Sequence, residues 1–368
     1  MTDSAPAPTP SAAMSADPGP ATESVPAADV VPDADPAATV GRAAAPVLVL
    51  WEHGADPGTP RLADPFAPQL TVTDQGATRG DGLFETALAV PATDGTLRPR
   101  KLEAHLERLA ASADALSLDV PEPAQWRSAI ELALREYGAC HPGEGAVLRL
   151  SATRGPDPTL LAPGEQPHST CWVLVSALPA PRPELRERGV SVLVLERGLD
   201  SRVTARAPWL LTGAKTLSYA INMAALRHAR AQGADDAIFV SADGQLLEGP
   251  TSTILLVRTE DDGTRRLITP LRQQGILAGT SQAVIFAAAA QDGWELGYGP
   301  LVTEDLTTVD GIWLVSSVRG VVPVRAVSGL GIDRPELAID AELTATLEDY
   351  LRADLPAGEH GPTHAPRS

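Results

Sequence analysis

The amino-acid sequence predicts an α/β (α+β) chain of two successive domains preceded by a disordered tail. Three observations carry that reading. Apolar runs of strand length and segments with 3.6-residue periodicity are mixed through both halves of the chain, as helix-on-sheet layers require. The stretch ALPAPRPELRERG, residues 177–189, separates the halves as a linker. Residues 1–45 are Ala, Pro, Asp, Ser and Thr with scattered Val and no aromatic residue, too little apolar surface to offset the entropy of ordering. The expected units are a tail at 1–45, an N-terminal domain at 46–180, a C-terminal domain at 190–353 and a second flexible tail at 354–368.

Within the first domain, VLVLW at 47–51 reads as a strand, residues 70–73 as another and 83–90 as a third. Leu102, Leu106, Leu109, Ala113 and Leu116 share one helical face, and residues 123–137 form a second helix around Trp126, Ile130 and Leu134. Residues 146–153 and 171–176 are strands separated by a Gly/Pro-rich loop. The second domain opens with a strand at 190–195. A helix follows at 218–231, with Gly233 as its C-terminal cap. Strands are expected at 237–240, 254–257, 267–269 and 313–316, a turn at 242–244 and an alanine-rich helix at 280–291.

Composition narrows the function classes. The net charge of −18 makes the chain a poor partner for nucleic acid or an anionic membrane. No apolar run reaches the ~20 residues of a membrane span, and no secretory signal pattern opens the chain, so a cytoplasmic protein is expected. The two cysteines, Cys140 and Cys171, stand apart from any metal-ligand spacing and read as buried thiols.

The lysine count is sharper. Of 29 basic residues only Lys101 and Lys215 are lysine. Arginine cannot form an imine, because its guanidinium stays protonated. Lys101 sits at a basic helix start beside Arg98 and Arg100, whereas Lys215 follows the apolar Trp209-Leu210-Leu211 and precedes a helix. Desolvation lowers a lysine pKa and yields a nucleophilic amine, which favours Lys215. Glu248, at the end of a strand before Gly249-Pro250, is a carboxylate suited to hold a protonated ring nitrogen. Arg108 has Ala104, His105, Ala111 and Ser112 at i±3 and i±4, hence no carboxylate at pairing spacing on its own helix, and is expected to be available to a phosphate. GILAGTS leads into a helix whose first N–H groups, with the Thr280 and Ser281 hydroxyls, make an anion site; Ser317 can add a hydroxyl.

The order of these segments resembles the fold-type IV pyridoxal 5'-phosphate (PLP) enzymes. TDQGATRGDGLFET, HLERLAAS and the strand ending in Thr153-Arg154-Gly155 resemble their N-terminal half. GAKTLSYAINMAALRHA, EGPTSTILLV, GILAGTSQ and SSVRGVVPV resemble their C-terminal half. The resemblance implies PLP as cofactor, Lys215 as its Schiff-base lysine and catalytic base, and Glu248 on the pyridine nitrogen. It further implies Arg108, Thr280, Ser281 and Ser317 on the phosphate and Tyr219 near the cofactor ring. Arg149 is implied toward the substrate carboxylate, and a homodimer acting on a small molecule is expected. Because a buried unpaired carboxylate is costly, Arg79 and Arg319 are further candidates for holding the substrate. Three positions depart from the family pattern: Arg79 replaces an aromatic residue, Ser281-Gln282 a threonine-arginine pair, and Thr253 an asparagine. Within the class, SVRG followed by VVPV is similar to the lyases that convert 4-amino-4-deoxychorismate to 4-aminobenzoate and pyruvate. Branched-chain or D-amino acid transamination, and PLP binding without catalysis, are the alternatives.

Overall fold

The computed structural model describes residues 45–51, 59–179 and 183–353. The expected tails lie outside the described residues, apart from Ala45.

The first half builds one antiparallel sheet. In chain order it contains β1 (Val47–Trp51), β2 (Pro60–Ala63), α1 (Gln75–Arg79), β3 (Gly82–Pro91), β4 (Leu97–Pro99), α2 (Leu102–Leu116), α3 (Pro123–Cys140), β5 (Ala146–Thr153) and β6 (Thr170–Ala177). The strand order is β2-β1-β6-β5-β3-β4. One face carries Val49, Leu83, Ala87, Leu148, Leu150 and Val173, and packs against Leu106, Leu109 and Ala113 of α2 and Trp126, Ile130 and Tyr137 of α3. The α3 start is stabilised by a capping box, Glu122 with Gln125, and by Pro123 in its first turn. Strand alternation sends Phe84, Thr86 and Arg149 to the opposite face, where β3–β5 pairing sets Thr86 beside Arg149.

The expected strand at 70–73 does not form. Val72 is exposed, and the Asp74 N–H bonds back to the Thr71 carbonyl in a turn. Asp74 instead caps α1 by accepting from the Gly76 N–H at 2.7 Å, while its second oxygen takes the Thr153 and Thr170 hydroxyls. A buried carboxylate with three donors holds this loop in place of a ladder.

The linker contains a short helix, α4 (Pro183–Glu187). Beyond it come β7 (Val190–Glu196), α5 (Val203–Arg206), α6 (Ala220–Ala231), β8 (Asp236–Val240), β9 (Thr253–Thr259), β10 (Arg265–Pro270), α7 (Thr280–Gln291) and β11 (Glu295–Gly299). The chain ends through α8 (Asp305–Thr308), β12 (Gly311–Ser316), β13 (Gly320–Gly329), β14 (Ile332–Arg334) and α9 (Ala341–Arg352). The second sheet runs β11-β10-β9-β12-β13-β7-β8, with β14 on β13. Strands β9 and β12 are buried on both faces, which explains their unbroken apolar runs. Ile254, Leu256, Ile312 and Leu314 join one core, while Leu255, Val257, Trp313 and Val315 join a second beneath α7 and α9. Trp313 Nε1 also donates to the Thr344 hydroxyl of α9 at 2.9 Å.

Helix α6 begins at Ala220, two residues later than expected, because Ser218 turns outward to donate to the Gly80 carbonyl. Gly233 lies just past the capping residue Gln232, at φ +82°. Of the two cysteines only Cys171 is buried, its thiol pushed up to about 12 by that burial; Cys140 is exposed. Among the described residues no helix is long and apolar enough to cross a membrane, and no His/Cys/Asp/Glu cluster could hold a metal ion.

Candidate active site

Lys215 lies on a segment that runs along the free edge of β3. The Phe84 N–H donates to the Lys215 carbonyl at 3.0 Å, and the Leu217 N–H donates to the Gly82 carbonyl at 2.8 Å. The Lys215 N–H is itself held by Ser112 Oγ of α2 at 3.1 Å. These three bonds fix the backbone, so the side chain projects from a rigid base. Its Nζ sits 4.6 Å from the Phe84 ring centroid and 5.7 Å from that of Tyr219. Burial lowers the pKa of the amine, aided by Arg108 and Arg149 and opposed by Glu85 and Glu248. The amine is therefore easier to obtain neutral than an exposed lysine.

Glu248 is in electrostatic reach of Lys215. Its Oε2 accepts the Leu277 N–H at 3.1 Å, and Arg197 approaches Oε1 at 3.5 Å. Burial pushes the Glu248 carboxyl upward, and Arg197, the Leu277 N–H and Lys215 offset that only in part. The carboxylate has room for a further positive partner. The turn after it is anchored from the Lys215 side: Tyr219 Oη and Asn222 Nδ2 each donate to the Pro250 carbonyl at 2.7 Å. Tyr219 also meets Phe84 edge to face at 5.4 Å, and burial pushes its phenol up to about 12.

The loop that begins at Glu248's partner Leu277 leads directly to the start of α7. Gly279 caps that helix without a side-chain hydrogen bond. A side chain there would collide with Thr253 Oγ1, so glycine lets the first turn lie against β9. Thr280 and Ser281 are buried, and Ser281 Oγ has no hydrogen-bond partner among the described residues. Unused N–H groups beside an orphaned buried hydroxyl make a cradle suited to an anion.

Arg108 and Ser317 flank this cradle, but Arg108 is not available in the way the sequence suggested. Its Nε and Nη2 donate to the two Glu85 oxygens at 2.6 and 2.8 Å, and its Nη1 donates to the Ala278 carbonyl at 2.7 Å. The carboxylate that α2 does not place at pairing spacing comes from β3. Glu85 also meets His105 Nδ1 at 2.7 Å, and His105 Nε2 lies 3.4 Å from Ser317 Oγ, which lies 3.3 Å from Thr280 Oγ1. Burial would raise the Glu85 carboxyl, yet hydrogen bonds from Arg108 and His105 and the Arg108 charge hold it down at about 2. Three of the five Arg108 N–H groups are used; two remain for a ligand on the α7 start.

This clamp has a measurable stability. A carboxyl displaced from 4.5 to about 2 contributes roughly 3 kcal/mol above its unfolded pKa, and that contribution fades as pH falls toward the folded value. Glu85→Gln also leaves Arg108 facing an uncharged amide. Chemical denaturation at neutral pH is expected to show the variant about 3 kcal/mol less stable, with the gap closing between pH 4.5 and 2. A gap that persists unchanged at the acid end would show that the ion pair is not its source.

The three arginines expected at substrate carboxylates separate clearly. Arg79 donates to Gln75 and Asp157, each at 2.8 Å. Arg319 donates to the buried Asp236 at 2.6 Å. Both guanidiniums are engaged in ion pairs, although the Arg319 Nη2 atom keeps no hydrogen-bond partner among the described residues. Arg149 has no carboxylate partner among the described residues and lies 4.9 Å from the centroid of the Phe84 ring that Lys215 also faces. Phe84, Glu85, His105 and Arg197 are site residues that sequence reasoning missed. The only signal for them was position: Phe84 and Glu85 alternate on a strand beside the GDG turn, and His105 lies one turn before Arg108.

The chain matches the family model described as amino-transferase class IV over residues 82–327. It is 42% identical over 285 residues to a bifunctional aminodeoxychorismate lyase / D-amino acid transaminase of Mycobacterium tuberculosis, covering 77% of this chain and 94% of that protein. Among solved structures, a fold IV transaminase from Curtobacterium pusillum superposes with a TM-score of 0.73 at 38% identity, covering 84% of this chain and 97% of that one. The PLP-bound form of an aminotransferase from M. tuberculosis gives 0.72 at 38% identity, covering 84% of this chain and all of that one. The mixed α/β architecture, the motif order and these matches together place the chain in the amino-transferase class IV family of enzymes, with the fold of the type IV transaminases.

Proposed function

We propose that the chain is a PLP enzyme acting as an aminodeoxychorismate lyase, with Lys215 as anchor and base. The observation that carries the cofactor reading is the path of residues 277–280. At one end the Leu277 N–H holds Glu248; at the other the α7 start offers an anion cradle beside Arg108. Lys215 faces the site with a lowered pKa. An under-compensated carboxylate, a nucleophilic amine and an anion cradle match the ring nitrogen, the aldehyde and the phosphate of PLP. A relative solved in a PLP-bound form supports the choice of cofactor.

In this reading Glu248 faces the ring nitrogen, while Arg108, Thr280, Ser281 and Ser317 hold the phosphate. Phe84 and Tyr219 wall the cofactor. Once bound, PLP supplies an electron sink next to the substrate nitrogen. Lys215, released from its anchoring role by the substrate amine, takes the proton from the ring carbon that bears this amine. The ring C–O bond to the neighbouring enolpyruvyl group then breaks; the departing enolate takes a proton to become pyruvate, and the ring is left aromatic. Arg149 pairs with a substrate carboxylate, since a buried unpaired anion is costly.

D-amino acid transamination is the second reading, because the M. tuberculosis relative carries both activities in its name. Both use the same Lys215 proton transfer. Incubation with 4-amino-4-deoxychorismate alone separates them: a lyase releases pyruvate with no amino acceptor present. Absence of pyruvate, with amine transfer from a D-amino acid to a 2-oxo acid, would select the transaminase.

A homodimer belongs to the same proposal. Helix α6 buries only Leu226 and Ala229 in its own chain, and exposes Ile221 at 69% and Met223 at 40%, while Trp209, ahead of the Lys215 segment, is 74% exposed. Apolar side chains so placed fit a second copy. Ile221→Asp is expected to convert a dimer to a monomer in sedimentation; a wild-type chain that sediments as a monomer would contradict this.

A further inference from the structure

The phosphate end of the site contains a titratable group that the reaction does not use. His105 is 1% exposed and sits between a carboxylate and a hydroxyl. Glu85, ionised, can only accept, so its contact at 2.7 Å requires the hydrogen on His105 Nδ1. That assignment leaves Nε2 as the variable atom. In a neutral ring Nε2 is an acceptor, and the Ser317 hydroxyl must point its hydrogen at the ring. In a cationic ring Nε2–H donates to Ser317 Oγ, and the Ser317 hydrogen is released to point elsewhere. Thr280 Oγ1, at the first turn of α7, lies 3.3 Å from the same oxygen. The ring therefore decides whether Ser317 can donate into the anion cradle.

Charge counting points the same way. The charged groups facing the ring are Glu85 from β3 and Arg108 from its own helix, and these two cancel. The β12–β13 turn brings the Ser317 hydroxyl, with the Thr280 hydroxyl of α7 behind it, while Arg319 of the same turn is paired with Asp236. Ser317 also lines a cavity with Arg100, which is bonded to the Leu351 carbonyl, and with Arg186 and Arg352, which pair with Glu348. Lys215 couples to the Glu85–Arg108 pair from across β3. The start of α7 contributes about half a positive charge. A phosphate dianion seated there is left short of positive charge, and His105 is the group placed to supply it.

We propose, resting on the PLP reading above, that His105 is a positioning residue whose Nε2 takes up one proton as the phosphate seats on α7, turning the Ser317 hydroxyl toward that phosphate. The proton comes from solvent, one N–H bond forms, and no other bond changes. Cofactor binding is thereby linked to proton uptake, and weakens as pH rises.

The test uses the full-length chain cleared of cofactor and 4-deoxypyridoxine 5'-phosphate, which has the phosphate but no aldehyde to engage Lys215. Binding heats measured at one pH in buffers of different ionisation heat give the protons taken up. Wild type is expected to take up about one proton more than His105→Gln, and its Kd to rise up to about tenfold more per pH unit. Deoxypyridoxine without the phosphate should show no such excess. Equal proton counts for wild type and variant would overturn the proposal. Should the variant not fold, 15N spectra of histidine-labelled wild type decide. The His105 Nε2 signal must change from acceptor to N–H type when the analogue binds, and an unchanged signal refutes the switch. Failure of the analogue to bind wild type at all would instead remove the PLP reading, whereas binding without extra proton uptake removes only the role of His105.

Discussion

Lys215→Ala is expected to lower turnover by about 10⁴-fold or more, because one side chain serves as both covalent anchor and general base. Its backbone is fixed by Ser112 and by β3 rather than by the amine, so the variant should fold with wild-type stability. It should also lose the near-ultraviolet and visible absorbance of the lysine-linked cofactor while still binding PLP through the α7 cradle. Added primary amines should recover part of the proton transfer. Turnover and absorbance both within tenfold of wild type would contradict the assignment.

Glu248→Gln is the second large effect. Glutamine keeps an acceptor for the Leu277 N–H but loses the charge, and it can turn an amide donor toward a ring N–H that is also a donor. The Glu248 carboxyl is already raised by burial, so the folded state carries this charge at a cost that a cationic ring nitrogen would offset. The variant is expected to retain lysine-linked cofactor while kcat falls about 10²- to 10³-fold, with KM changed far less. A fall in cofactor affinity with kcat preserved would indicate that Glu248 serves binding alone.

What the sequence revealed, and what it hid, follows from the range of each signal. Helix α2 matched its expected span because Leu102 to Leu116 repeat at helical spacing. Helix α7 also matched: Gly279 precedes it and no residue within it breaks a helix. Lys215 stood out because arginine replaces lysine almost everywhere else. Long-range pairing was invisible by the same methods. Residues 70–73 have strand composition, yet the hydroxyls of Thr153 and Thr170 converge on Asp74 and hold the segment as a turn. Strand β13 was hidden by Pro323, a residue type that normally marks sheet edges. Arg108 lacked a partner on its own helix and so looked available, whereas its partner Glu85 is 23 residues earlier on another element. The Asp157 and Asp236 partners of Arg79 and Arg319 were equally invisible in the sequence. An ion pair closed by the fold leaves no local trace in the chain.

The central claim is that Lys215, rather than Lys101, carries the cofactor, and the chain's composition makes this unusually direct to test. Only two lysines exist. Borohydride reduction of the purified, PLP-loaded protein, followed by digestion and peptide mass mapping, is expected to place one phosphopyridoxyl group per chain on the peptide containing Lys215. A label on the Lys101 peptide, or none on either, would contradict the account.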